Sequence, residues 1–412
     1  MKTDILMEHV KWTDVTHGHI CTPLGFSAGG LHCGINRKRK DLGWIYSSVP
    51  AKAAAVYTTN IFQAPPLKVT QESINENKTL QGVLVNSGNA NSCTGEIGFI
   101  NAYEMRRIYA QKAGLLENDV AVISTGVIGE QLPIQKIQQG VESITTIEGV
   151  RDYDAFHHSI LTTDTFPKQA CVQITIDGKT MTIAGAAKGS GMIHPNMATM
   201  LGFITTDINI QSSALNQALK DVTNETFNMI TVDGDTSTND MVLVLANGLA
   251  NNSEWSLHDQ EYLLFKEGLK QVCESLAKQI ARDGEGATKL IEVQVKGALT
   301  NSDAQTIAKT IVGSSLVKTA IYGEDANWGR IVSAVGYSGI LFDPMNIHIS
   351  LGPIKIVENG LPISFKESEA ALYLKNEKID IHIQLGEGTN NATAWGCDLS
   401  YDYVRINASY RT

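Results

Sequence analysis

The sequence predicts an α/β fold, on two observations. Short apolar runs of strand character recur along its 412 residues and are separated by segments in which apolar side chains return every three or four positions, so both kinds of element alternate. Two late runs, Ile291 to Lys296 and Ile379 to Leu385, alternate strictly between apolar and polar residues, as half-buried antiparallel strands do. The sheets are therefore expected to be mixed.

The strand-like runs are Val83 to Asn86, Val120 to Ser124, Cys171 to Ile176, Met200 to Thr205 and Met241 to Leu245. A first helix follows Pro133, a residue preset for the first turn, with Ile134, Ile137, Val141 and Ile144 on one face. Leu215, Ala218, Leu219 and Val222 repeat the pattern after Ser212-Ser213. A longer helix is expected from about Asp259 to Arg282, with Tyr262, Leu269, Val272, Leu276 and Ile280 on its apolar face. Another should begin at Ser302 and stop at Gly313. The length suggests roughly two or three domains, yet no repeat or Pro/Ser-rich linker marks a boundary.

Composition narrows the function. A formal charge of −10 argues against nucleic acid, which needs clustered Lys and Arg. The one basic run, Arg37-Lys38-Arg39-Lys40, reads as a solvated turn. The 6 cysteines are scattered without metal-ligand spacing and read as reduced core thiols. Neither a signal peptide nor a membrane span is expected, which points to the cytoplasm.

Several signatures can be set aside. Lys188-Gly189-Ser190-Gly191 begins like a dinucleotide fingerprint, but His194 stands where the third glycine belongs. The acidic run Thr231 to Asp240 suggests a calcium loop, yet counting from Asp233 puts Thr238 at the glycine position and Val244 at the bidentate glutamate. His17, His19, His157 and His158 lack carboxylates at metal spacing, so no metal is expected.

Thr199 raises a different question, because valine would suit its apolar surroundings better. A threonine hydroxyl needs a base to become a nucleophile, and an N-terminal threonine carries one in its own α-amine, with a pKa of about 7.7–8.0. That amine exists only if the Ala198–Thr199 bond breaks, which the hydroxyl itself can begin by attacking the Ala198 carbonyl. Gly189 and Gly191 upstream permit a strained turn that would aim this carbonyl. Taken alone, a threonine in such a strand is usually a matter of β-propensity.

The segment Ala187 to Leu201, AKGSGMIHPNMATML, resembles the self-cleavage segment of the ornithine acetyltransferase family. Six further stretches resemble family motifs in family order: Val85–Asn91, Ser124–Gly129, Thr162–Thr165, Asp283–Thr288, Gly323–Arg330 and Asn407–Thr412. Together they span nearly the whole chain. The resemblance implies an αββα sandwich with mixed sheets, similar to N-terminal-nucleophile hydrolases but distinct in topology, plus a C-terminal α/β region. It implies two fragments, 1–198 and 199–412, paired as an α2β2 heterotetramer.

The reaction implied is transfer of acetyl from N2-acetylornithine to glutamate in arginine biosynthesis, without a cofactor, some members also accepting acetyl-CoA. Thr199 is the nucleophile, while Thr125 and the N–H of Gly126 take the oxyanion-hole role. Lys188 is a natural counter-charge for the α-carboxylate that donor and acceptor share. The family pattern adds Thr162 or Thr163, Glu285, Asn407 and Thr412 to the substrate pocket. Two other readings remain: an amidohydrolase or aminopeptidase using the same N-terminal threonine with water as acceptor, and a non-catalytic descendant of such an enzyme.

Overall fold

The computed structural model describes residues 11–194 and 200–409. Ala198, Thr199 and Thr412 therefore lie outside the described residues. A first sheet is built from β1 (Thr13–Asp14), β2 (Phe26–Leu31), β3 (Leu42–Tyr57), β4 (Thr79–Asn89), β5 (Val120–Val127), β6 (Lys168–Ile176), β7 (Lys179–Lys188) and β8 (Leu201–Thr206). Next, β9 (Ile230–Thr231) opens a second sheet and β10 (Met241–Ala246) returns to the first. The second sheet is completed by β11 (Leu290–Ala298), β12 (His348–Leu351), β13 (Ile354–Glu358), β14 (Leu361–Pro362), β15 (Lys378–Gln384) and β16 (Asn390–Cys397).

The first sheet has the order β1-β6-β7-β8-β10-β3-β4-β5, with β2 also paired to β3. The long strand β3 serves two neighbourhoods: its first half pairs β2, its second half pairs β10, and its ladder to β4 is irregular between Tyr46 and Ala51. A sheet bent there can face itself, and side-chain parity shows that it does. Val83, Val85, Ala121 and Ile123 on β4 and β5 share one buried cluster with Leu201, Phe203, Leu243 and Leu245 on β8 and β10. Their neighbours of opposite parity point outward, as alternation on a pleated strand demands. Leu84, Val120 and Val122 meet the helices Pro65–Asn77, Gly95–Ala113 and Ile134–Ser143. Val242, Val244, Ile204 and Ile183 meet Ser212–Glu225 and Gln260–Arg282. The result is four layers, helix, sheet, sheet, helix, the αββα arrangement expected.

The helices start and stop close to the sequence signals. Asn301–Gly313 begins one residue before Ser302 because Thr300 and Asp303 form a reciprocal capping box. β11 and β15, expected as half-buried antiparallel strands, also pair with each other in parallel from Leu290↔Lys378 to Lys296↔Gln384. Each has its antiparallel partner on the other side, β16 and β12 respectively. Their alternation records a sheet with one face covered, where Val293, Val295, Ile381 and Ile383 are buried, and carries no information on strand direction.

The two strands that follow position 199 in the first sheet lie between strands that precede it. β8 pairs β7 antiparallel from Lys188↔Leu201 to Ile183↔Thr206, and β10 pairs β3 antiparallel from Met241↔Tyr57 to Ala246↔Lys52. The segment between β7 and β8 thus connects neighbouring strands of one sheet. Among the described residues no helix is long and apolar enough to cross a membrane.

Candidate active site

A cavity of about 270 Å³ opens where β5, β7 and β8 converge. Its lining includes Thr125, Gly126, Thr162, Thr163, Lys188, Glu285 and Asn407, so every expected site residue among those described is brought together. Met200, the residue after Thr199 in the chain, lines it too.

Thr125 and Gly126 lie near the end of β5, where its ladder to β4 becomes irregular, in a backbone bend that only glycine allows. Gly126 has φ +136°, and a Cβ there would lie 2.3 Å from the backbone carbon of Gly88. A buried asparagine network holds this turn. Asn239 donates to the carbonyls of Ala90 (2.5 Å) and Ser124 (2.9 Å), Ser124 Oγ donates to Asn86 Oδ1 at 2.6 Å, and the Asn91 N–H donates to Asn89 Oδ1 at 2.8 Å. The motif Val85 to Asn91 is thereby explained as support for the turn, since buried amides without partners would be costly.

Lys188 closes the opposite wall from the end of β7. It is 8% exposed and donates to Thr162 Oγ1 at 2.8 Å, with the Asp164 carboxylate 3.9 Å away. An ammonium has three N–H donors, so the group keeps capacity for an anion in the cavity. Asp164 is buried, which by itself would raise its pKa; Lys188 and Lys168, the latter at 2.8 Å, with the Gly189 N–H, hold it well below the usual carboxylate range instead. Lys168 also pairs with Asp283 at 2.5 Å. Two lysines and two aspartates therefore neutralise one another behind the pocket.

The loop 189–194, which leads to the proposed scissile bond, is fixed from below. Met192 takes φ +56°, and the Asp233 carboxylate accepts its N–H at 2.7 Å and that of Ile193 at 2.9 Å. Burial raises the Asp233 pKa against the lowering effect of these donors. The Tyr403 hydroxyl is pushed up to about 12 by burial and then by Asp233 and Glu285. His194 is lowered to about 4 by burial and the Lys309 ammonium, so it is neutral at pH 7, and its Nδ1 lies 3.0 Å from Thr231 Oγ1. Gly191 permits contact with Glu285, whose carboxylate would be 2.4 Å from any Cβ there. Asn407, on the helix Tyr401–Ser409, donates to Glu285 Oε2 at 2.9 Å.

Three contributions escaped the sequence reading. Asp233, Asn239 and Asp240 line the cavity, although the run containing them suggests in sequence only a calcium loop that fails at two key positions. Asp164, beside the threonines of its motif, supports Lys188 and does not line the cavity. The basic run is not merely a solvated turn, because Arg39 donates to the Thr162 carbonyl at 2.6 Å and Lys40 to that of Gly30 at 3.3 Å. Cys93 is exposed and Cys33 half-buried, so only the other cysteines are core thiols; those described are all free. Among the described residues no group of three His, Cys, Asp or Glu could hold a metal ion.

Comparison with known proteins then gives a consistent match. The profile of the ArgJ family matches residues 27–412. An arginine biosynthesis bifunctional protein ArgJ from Geobacillus kaustophilus is 57% identical over 400 residues, covering 97% of this chain and 98% of its own. One from Halalkalibacterium halodurans is 56% identical over 415 residues, covering 99% of this chain and 100% of its own. The crystal structure of an arginine biosynthesis bifunctional protein ArgJ from Bacillus halodurans is 56% identical with a TM-score of 0.50, over 50% of this chain and 98% of the solved one.

Proposed function

This chain belongs to the ArgJ family of arginine-biosynthesis acetyltransferases, and on that premise we propose that it moves acetyl from N2-acetylornithine to glutamate through an ester on Thr199, and that it also takes acetyl from acetyl-CoA. The observation that carries the reading is the convergence of Thr125-Gly126, Lys188, Thr162-Thr163, Glu285 and Asn407 on one cavity lined also by the residue that follows Thr199.

The chain is first cut at Ala198–Thr199, which frees the threonine amine. In the first half-reaction this amine takes the hydroxyl proton as Oγ attacks the acetamide carbonyl. The C–N bond breaks, the proton passes to the departing nitrogen, ornithine leaves, and acetyl remains as an ester. The glutamate amine then attacks that ester, the C–O bond breaks and the hydroxyl is restored. Each step passes through a tetrahedral oxyanion, for which the Thr125 hydroxyl and the Gly126 N–H are the donors, each worth about 10²- to 10³-fold in rate. Lys188 receives the α-carboxylate of both substrates, and Glu285 the δ-ammonium of ornithine. Support for the cut comes from proportion: the solved chain from Bacillus halodurans aligns over 98% of itself yet only 50% of this one, as a chain beginning or ending near position 198 would. The working assembly is taken to be two cleaved pairs, α2β2.

The test is an acetyl-transfer assay with purified protein, N-acetylornithine and glutamate, beside a reaction without glutamate. Stoichiometric N-acetylglutamate, and an acetyl group on the fragment beginning at Thr199 when glutamate is withheld, are expected. Steady release of free acetate would replace this reading with the amidohydrolase one.

A further inference from the structure

We propose that the basic loop 36–40 is the outer rim of the pocket and binds the nucleotide phosphates of acetyl-CoA. This rests on the acetyl-CoA half of the function proposed above and adds where the carrier sits.

The loop is tied down by hydrogen bonds and built onto both walls of the site. The buried carboxylate of Asp41 accepts the N–H groups of Cys33 (2.6 Å), Gly34 (3.1 Å) and Asn36 (2.7 Å), and Asn36 Oδ1 accepts that of Lys38 at 3.2 Å. On one side the loop packs on Gly88, where an added Cβ would lie 3.1 Å from Ile35 Cγ2; Gly88 is in turn the backbone against which Gly126 is closed. On the other side Arg39 holds the carbonyl of Thr162. The loop therefore bridges the oxyanion turn and the Thr162-Thr163 wall, and it carries four consecutive exposed cations. Lys136 adds a fifth, donating to the Gly34 carbonyl at 2.6 Å.

In a chain of net charge −10 this is a local reversal of sign, joined to the pocket through the contact of Arg39 with the lining residue Thr162. The amino-acid substrates do not call for it, since they lie within the cavity and present their shared carboxylate to Lys188. A thioester on coenzyme A does call for it. Its acetyl group must reach the nucleophile while a long, uncharged pantetheine arm leaves a diphosphate and a 3′-phosphate outside. Guanidinium and ammonium groups are the natural partners of such phosphates. Arg39 and Lys40 are tied to backbone carbonyls as anchors, so Arg37 and Lys38 are the residues assigned to the phosphates.

The experiment compares full-length wild-type enzyme with R37E/K38E, measuring glutamate acetylation from acetyl-CoA and separately from N-acetylornithine. The double variant should raise the KM for acetyl-CoA about tenfold or more, as loss of charge-assisted contacts implies, while the KM for N-acetylornithine stays within about twofold. Added salt should raise the wild-type KM for acetyl-CoA, with little effect in the variant. Acetyl-dephospho-CoA, which lacks the 3′-phosphate, should bind wild type more weakly and lose part of its sensitivity to the substitutions. Unchanged KM for acetyl-CoA, or an equal rise for both donors, would overturn the site. So would a wild-type enzyme that uses N-acetylornithine but not acetyl-CoA, a result that leaves the ornithine reaction standing. Transfer from neither donor would defeat both readings.

Discussion

Lys188 and Glu285 face one cavity with opposite charges, and their division of labour can be separated kinetically. Lys188→Met should raise the KM for N-acetylornithine and glutamate alike, because one cation is assigned the carboxylate common to both. Glu285→Gln should raise the KM for N-acetylornithine alone, since glutamate has no δ-ammonium to lose. Charge-assisted hydrogen bonds are worth about 1.5–3 kcal/mol, so roughly tenfold to a hundredfold is expected in each affected constant. A Lys188 effect confined to the donor would dismiss the shared site. The residues assigned to the pocket were legible because their motifs resemble, in order along the chain, those of a known family. Those that act through others were not. Asp164 and Asp233 also hold backbone N–H groups far off in the chain, Gly189 at 25 positions and Met192 at 41, and no local spacing announces such partners.

At the scale of elements, the helix Tyr401–Ser409 has no buried residue, yet it delivers Asn407 to Glu285. Deleting residues 407–412 should therefore leave the fold and self-cleavage intact while lowering kcat/KM for acetyl transfer by about tenfold or more, the cost of a lost bond to a charged group. Unchanged turnover would remove the tail from the site; a single uncut chain would place it in the cleavage step. The elements themselves were readable in sequence, because period and caps are local: Pro133, Ser212-Ser213 and Gly313 all mark real helix ends. Strand partners were not. The alternation in β11 and β15 reports which face is covered, and the doubling over of β3 depends on contacts between β4 and β8 far apart in the chain.

For the whole molecule, buried imidazoles couple stability to pH. His157 and His194 are each lowered to about 4 from the usual 6.5, His157 by burial and His194 by burial and Lys309. Between pH 6.5 and about 4 the unfolded chain binds protons that the folded chain refuses, so unfolding takes up protons and stability falls as pH falls through this window. Above pH 6.5 the contribution is fully present. His157 contributes about 1.4 kcal/mol for each pH unit of separation at most. Melting temperature followed from pH 7 downwards should decline through this range, and His157→Phe should flatten the decline, because the Nε2 atom has no hydrogen-bond partner among the described residues to lose. An acid limb identical to that of the wild type would exclude His157 as its source.

If the chain is cut as proposed, the placing of β8 and β10 between β7 and β3 has a consequence for the protein afterwards. Two ladders lace the fragments together, so breaking one peptide bond releases neither, and a tag on either fragment should recover both. The unfolded state, however, changes from one molecule to two. Refolding of the cleaved enzyme becomes an encounter, second order in protein, and its apparent stability depends on concentration. The uncut Thr199→Ala chain, which should also be inactive, folds as a single body at any dilution. Diluting both from denaturant should recover the variant fully and the cleaved enzyme in a yield that falls with concentration; equal recovery at every dilution would mean that the chain had never been divided. On this geometry the native sheet would be assembled once, by an intact polypeptide, and the proposed cut would turn a reversible folder into a structure that persists because it is already closed.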